Sequence, residues 1–216
     1  MRSDLPDVWF FDLDGTLTDP FIGITSCIRF ALAQLGAHVP AAADLSWCIG
    51  PPLRDIFVQL LDEQRADRAC ELYRERFADV GLFENTKYSG IDELMININD
   101  LGAICYVASS KPLVFVERIL EHFELAQYFA QSFGAELSGV RSDKTELLAY
   151  ALEQTGAVAS RSVMVGDRKH DAIGANNNGI RSWGAGWGFG SRAELQAAGA
   201  EIVFADSAEL LGFVSE

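Results

Sequence analysis

Six short apolar or β-branched runs, each too short for a helix, set the strongest limit on what this chain can fold into. They lie at Val8 to Phe11, Ala103 to Ala108, Phe129 to Phe133, Ser162 to Val165, Arg181 to Ala185 and Glu201 to Phe204. Between them, "PLVFVERILEHF" (Pro112 to Phe123) and "KTELLAYALEQTG" (Lys144 to Gly156) repeat apolar residues at helical spacing, with Gly156 as a stop. Strands alternating with helices predict an α/β fold, a doubly wound parallel sheet with helices on both faces. One interval breaks the alternation. From Leu17 to about Phe83 the patterns are helical only: Ile22 to Gly36, Leu53 to Gln64 and Arg68 to Gly81. This interval reads as a helical domain, 17–83, inserted after the first strand of a core domain made of 1–16 and 84–216.

Composition removes several functions. At 216 residues and 49% hydrophobic, the chain can bury a substantial core. Its 17 Lys and Arg against 31 Asp and Glu, a net charge of −14, argue against nucleic acid as a partner, since phosphate backbones call for clustered basic side chains. The four cysteines form no C-x-x-C pair and read as buried thiols in a reducing compartment. The first residues, "MRSDLPDVWFF", offer too short an apolar run for a secretory segment or a membrane span, so the expectation is a cytoplasmic protein with no membrane partner. Oligomeric state, monomer or homodimer, is not readable.

Open parallel sheets bind ligands beyond the carboxyl ends of their strands. After the first run come Asp12, Asp14, Gly15 and Thr16; after "AICYVA" come Ser109, Ser110 and Lys111; after "SVMV" come Gly166, Asp167 and Asp171; Lys144 opens a helix. Taken singly, each has an ordinary reading: a turn pair at Asp14-Gly15, a serine-proline helix entry at 109–112, an exposed lysine, an acidic first turn. Gathered on one rim, the carboxylates repel, which is tolerable when a cation sits among them. Oxygen donors without histidine or thiolate favour Mg2+, an ion that pairs well with a phosphate. The histidines, His38, His122 and His170, have no metal-ligand spacing, and His170 is read as a structural or rim residue. The glycine-rich "GAGWGFGS" (Gly184 to Ser191) lacks the lysine-hydroxyl ending of a nucleotide-binding P-loop and is expected to be a mobile rim loop.

In order, "DLDGTLTD", Ser109 within "VASSKP", Lys144 and "GDRKHDAIGANNNG" resemble the four motifs of the haloacid dehalogenase superfamily, near its phosphoglycolate phosphatase-like branch. The resemblance covers essentially the whole chain. It implies a Rossmann-like core with a helical cap that closes over the site, and a Mg2+-dependent phosphomonoester hydrolase acting on a small phosphorylated metabolite. Asp12 would be the nucleophile forming an aspartyl-phosphate and Asp14 the general acid and base. Ser109 and Lys144 would clamp the phosphate, with Ser110, Lys111 and the cap residue Arg54 of "CIGPPLRD" as further phosphate or substrate contacts. Asp12, Asp14 through its main-chain carbonyl, Asp167 and Asp171 would form the metal site. The branch often has proline after its third-motif lysine, where this chain has Thr145, which leaves Lys111 as a second candidate cation. The dehalogenases of the superfamily lack the second aspartate, so Asp14 favours phosphate chemistry. Phosphoglycolate and nucleoside 5′-monophosphates remain the competing substrate classes, with a sugar phosphomutase third and a non-catalytic phosphate-binding protein as the alternative of another kind.

Overall fold

The computed structural model describes residues 5–215 and divides them into two compact units, Asp19–Thr86 and the remainder. In chain order the elements are β1 (Val8–Phe11), β2 (Thr18–Asp19), α1 (Phe21–Gln34), α2 (Leu53–Leu60), α3 (Glu63–Arg76), β3 (Thr86–Lys87), α4 (Ile91–Asp100), β4 (Ile104–Pro112), α5 (Leu113–His122), β5 (Gln131–Ala135), α6 (Lys144–Thr155), β6 (Ser162–Gly166), α7 (Lys169–Asn177), β7 (Arg181–Ala185), α8 (Arg192–Ala197), β8 (Ile202–Phe204) and α9 (Ser207–Ser215).

Six strands form one sheet in the order β5-β4-β1-β6-β7-β8, and every pair in it is parallel. Parallel sheets are covered on both faces, so their strands read as continuous apolar runs rather than alternating ones. Val8 to Phe11 and Ser162 to Gly166 are buried throughout. Trp9 meets the edge of Trp183, whose ring also meets Phe204 and Phe213, while Phe10 stacks on Tyr106 and joins Met164, Leu147 and Leu148 in a separate buried cluster. The chain lays β4 and β5 on one side of β1, then returns to lay β6, β7 and β8 on the other. Such a reversal opens a crevice at the carboxyl ends of the strands flanking it, here β4, β1 and β6.

The unit Asp19–Thr86 is helical. Its interior is formed by Ile28, Ala31 and Leu32 of α1, Phe57 of α2 and Ala69, Leu72 and Tyr73 of α3. Tyr73 stacks on Phe77, the first residue of a π-helical turn (Phe77–Gly81). Gly23 packs so closely on that turn that a Cβ there would sit 2.1 Å from the Gly81 carbonyl oxygen. Arg76 clamps Glu84 at 2.7 and 2.9 Å and reaches Cys27 Sγ at 3.1 Å.

The unit limits fall at Asp19 and Thr86, not at 17 and 83, for reasons visible in the hydrogen bonds. Leu17 and Thr18 both donate to the Leu13 carbonyl, which ties them to the end of β1. Glu84 is bound to Arg76 by its side chain and to Gly23 N by its carbonyl, which ties it to the helices. Residues 1–4 and 216 of the expected core domain lie outside the described residues.

Other differences are local. The stretch expected as one helix from Leu53 to Gln64 ends at Leu60, because Asp62 starts a new helix by accepting from Arg65 N at 2.9 Å. β4 runs on to Pro112 rather than stopping at Ala108, with a register shift against β5 between Ser109 and Pro112. The cysteines are all free and buried. Among the described residues no helix is long and apolar enough to cross a membrane.

Candidate active site

The turn that follows β1 is closed on itself. Leu13 O accepts from the amides of Thr16, Leu17 and Thr18, and Gly15 N donates to Thr18 O at 2.7 Å. Gly15 has φ +82°, and a Cβ on it would meet the Asp167 carboxylate at 2.2 Å, so glycine is required both by the backbone and by the approach of β6. This turn leaves Asp12 at the strand end, with Asp12 Oδ1 accepting from Leu13 N at 2.8 Å.

Lys144 reaches the same oxygen from α6. Asp143 caps that helix, accepting from Thr145 N at 2.8 Å and Glu146 N at 3.1 Å, which fixes Lys144 as its first residue. The ammonium lies 3.2 Å from Asp12 Oδ1, 2.7 Å from Asp171 Oδ1 and 2.8 Å from the Ala108 carbonyl of β4, and the residue is only 4% exposed. A cation at a helix start opposes the helix dipole, and burial disfavours its charge. The two carboxylates outweigh both and hold its pKa above the ordinary lysine range.

Asp167 follows β6 and is fully buried. Its Oδ2 accepts from Phe189 N at 2.8 Å, and its Oδ1 is buried without a hydrogen-bond partner. Burial pushes its pKa well above the usual carboxylate range, with Asp171 and Asp12 adding repulsion. Asp171, in the first turn of α7, accepts from Arg168 N at 3.1 Å. Burial raises its pKa to about 6 despite the opposing pull of Lys144. Asp12, Asp167 and Asp171 each offer an oxygen within 4.8 Å of the others. A buried carboxylate oxygen left unpaired is costly unless something meets it. The orphaned Asp167 Oδ1 inside a three-carboxylate cluster therefore fits a hard divalent cation.

Asp14 sits beyond Asp12 in the turn, and Lys111 holds it with Nζ 2.8 Å from Oδ1. Burial raises the Asp14 pKa, and Lys111 opposes that shift. Ser109 is buried in β4, next to its register shift against β5, where its Oγ accepts from Lys111 N at 3.3 Å, and Ser110 is half-buried beside it. The sheet unit thus brings together Asp12, Asp14, Ser109, Lys111, Lys144, Asp167 and Asp171. Arg54 belongs to the helical unit, where it pairs with Asp67 at 2.9 Å and Glu63 at 3.8 Å. His170 is exposed and outside the carboxylate cluster.

The glycine-rich segment 184–191 is not the free rim loop that its composition predicts. Trp187 Nε1 donates to Thr16 O at 3.0 Å and Phe189 N donates to Asp167. A Cβ on Gly188 would lie 2.3 Å from both Asp167 Cβ and Gly15 O, and one on Gly190 would lie 1.9 Å from Asp167 O. The glycines are there for contact. The run of four glycines between Gly184 and Gly190 was the available signal, but only the fold shows what approaches it.

The haloacid dehalogenase-like hydrolase family model matches residues 9–185. A 5′-nucleotidase of Pseudomonas aeruginosa is 48% identical over 189 residues, covering 87% of this chain and 86% of that protein. The tyrosine-protein kinase PtkA of Mycobacterium tuberculosis is 38% identical over 87% of this chain, which spans 65% of PtkA. A phosphoglycolate phosphatase of Vibrio parahaemolyticus is 28% identical, covering 95% of this chain and 94% of that one. Among solved structures, a predicted phosphatase from Clostridium acetobutylicum superposes with a TM-score of 0.93 at 39% identity, covering 98% of this chain and 99% of that chain.

Proposed function

The chain belongs to the haloacid dehalogenase-like hydrolases, and from that premise we propose that it is a Mg2+-dependent phosphomonoesterase working through an aspartyl-phosphate on small metabolites in the cytoplasm. The observation that carries this reading is Asp12 at the end of β1. Both Leu13 N and Lys144 engage its Oδ1, so its second oxygen is the one available to attack phosphorus.

In the first displacement a bond forms between that oxygen and phosphorus while the ester P–O bond breaks. Asp14, protonated, gives its proton to the departing alkoxide. In the second, Asp14 as a carboxylate takes a proton from water, whose oxygen attacks the same phosphorus; inorganic phosphate leaves, Asp12 is restored as a carboxylate and Asp14 is again protonated. An acid that must be protonated for one step and ionised for the next works best with a pKa moved toward neutrality, the direction in which burial moves Asp14. Ser109 and Lys144 offer a donor and a cation for the phosphoryl oxygens. Asp12, Asp167 and the Asp14 carbonyl would hold Mg2+, with Asp171 ordering their surroundings; the ion supplies positive charge against the transferring group.

Similarity orders the substrate classes. The 48% identity to a 5′-nucleotidase, against 28% to a phosphoglycolate phosphatase, puts nucleoside 5′-monophosphates ahead of phosphoglycolate. Free, buried thiols support a reducing compartment.

Phosphate release from nucleoside monophosphates, phosphoglycolate and sugar phosphates, with Mg2+ or with EDTA, tests the reading. The expected result is release that needs the metal, falls to background in Asp12→Asn, and is at least 10-fold more efficient in kcat/KM for a nucleotide. Equal rates in wild type and Asp12→Asn would remove the mechanism. Isomerised sugar phosphate without free phosphate would point to a mutase, and transfer from ATP to a tyrosine to the chemistry that PtkA's name describes.

A further inference from the structure

We infer that Trp187 is a positioning residue, which, with the Phe189 amide and Gly188, locks the Asp12–Thr16 turn to Asp167 and so sets the spacing of the proposed metal ligands. The inference rests on the proposed metal-dependent reading and assigns a task to a segment that reading does not use.

The turn after β1 and the loop after β6 are far apart in sequence and lie on adjacent strands; Asp12 N donates to Val165 O at 2.9 Å, which holds the root of the turn to β6, and beyond that bond side-chain and loop contacts fix the spacing. The segment after β7 reaches both. Its indole N–H takes the Thr16 carbonyl at 3.0 Å, on the turn that carries Asp12 and Asp14. Two residues on, the Phe189 amide takes Asp167 Oδ2 at 2.8 Å. Between these anchors Gly188 packs against Asp167 Cβ and Gly15 O at once, both at 2.3 Å from where a Cβ would stand.

Each contact has a distinct consequence. The Phe189 amide holds one Asp167 oxygen and thereby fixes the rotation of a carboxylate whose other oxygen, Oδ1, is buried and unpartnered. The indole prevents the turn from moving away from β6. Ring, amide and missing side chain together act as a strut of fixed length. The segment is itself anchored, since Gly186 N donates to Phe204 O at 2.8 Å and Gly188 N to Ala185 O at 3.2 Å. Groups behind the ligands that fix their direction typically matter 10- to 100-fold in metal affinity or activity.

Trp187→Phe keeps an aromatic ring and removes only the N–H. Two readouts on the full-length protein are needed: the rise in unfolding temperature caused by Mg2+, referred to each variant's own metal-free value, and phosphate release as a function of Mg2+. Trp187→Phe is expected to raise the half-saturating Mg2+ concentration about 10-fold in both readouts, with kcat at saturating Mg2+ within a few-fold of wild type. Gly188→Ala, which displaces Asp167 itself, is expected to raise it further, and it carries the test should Trp187→Phe fold poorly. A merely structural role would lower the metal-free unfolding temperature and leave both Mg2+ half-saturation points unchanged; that result in either folded variant overturns the inference. Absence of any Mg2+-dependent stabilisation in the wild type would instead overturn the metal reading on which it rests.

Discussion

At the residue scale Asp14, Asp167 and Asp171 are acids that burial makes reluctant to ionise, and two lysines, Lys111 and Lys144, stand among the site's carboxylates. Asp171 shows what this means for pH. Its carboxyl releases its proton near 4 in the unfolded chain but only at about 6 in the folded one. Between those values the folded state holds more protons, so metal-free stability falls as pH rises through this window and is flat above it as far as Asp171 is concerned. Asp167 is shifted in the same direction. A cation bound among these groups relieves the repulsion and favours their ionised forms. The gap in unfolding temperature between protein in Mg2+ and in EDTA should therefore widen from pH 4 to above pH 6. A gap that narrows over that range would contradict the placement of the ion among these carboxylates. Asp14 gives a kinetic counterpart: Asp14→Asn should slow turnover by roughly 10²- to 10⁴-fold, the usual worth of a general acid and base. The residues that meet here could be read from the sequence because each follows an apolar run or opens a helix. Their partners could not. That Lys111 holds Asp14 while Lys144 spans Asp12 and Asp171 depends on the register of β4 and the angle of α6, neither of which is local.

At the scale of elements, strands were legible where both faces are buried and less so where an aromatic run continues past the sheet. β1 and β7 have the limits their apolar runs predict, whereas β5 begins at Gln131 and not at Phe129. Phe129 meets the edge of Phe11 across the sheet face, so its side chain serves the core without its backbone joining the ladder. The helix α4 was not read from the sequence: Ile91, Leu94, Met95 and Ile98 are buried at helical spacing, but Asp and Asn between them weaken the pattern. The packing of α6 on α7 could not be read at all. It depends on Gly174, where a Cβ would lie 2.8 Å from Lys144 Cγ and 2.9 Å from its backbone carbonyl carbon. Alanine in a helix ordinarily gains up to about 1 kcal/mol over glycine. Here the neighbour is backbone and cannot swing aside, so the overpacking term of about 1–3 kcal/mol wins. Gly174→Ala should destabilise the protein by chemical denaturation and, because the displaced side chain is Lys144, lower kcat beyond what the loss of folded protein explains. A stabilised variant with full activity would show that α7 can slide freely over α6.

At the scale of the whole molecule, the alternation of strands and helices predicts the sheet unit, and its interruption between Leu17 and Phe83 predicts a second body. What periodicity could not supply was where one body ends, because hydrogen bonds such as Gly23 N to Glu84 O join residues far apart in sequence. The cysteines turn this division into a measurement. Cys27, Cys48 and Cys70 lie in the helical unit and Cys105 in β4 of the sheet unit, all of them buried. Burial pushes the Cys48 and Cys105 thiols up to about 12. At pH 8 a thiol with that pKa is ionised to roughly one part in 10⁴, and the thiolate is the reactive form. A thiol reagent should therefore label the native protein slowly and all four cysteines once it is unfolded. The informative range lies between. A unit with its own core can open as a separate cooperative body, and the smaller body buries a smaller fraction of its surface. In increasing denaturant the three thiols of the helical unit should react before Cys105, as mass spectrometry of the labelled protein would record. Simultaneous labelling of all four would mean that the two units unfold as one, and that the smaller core borrows its stability from the larger.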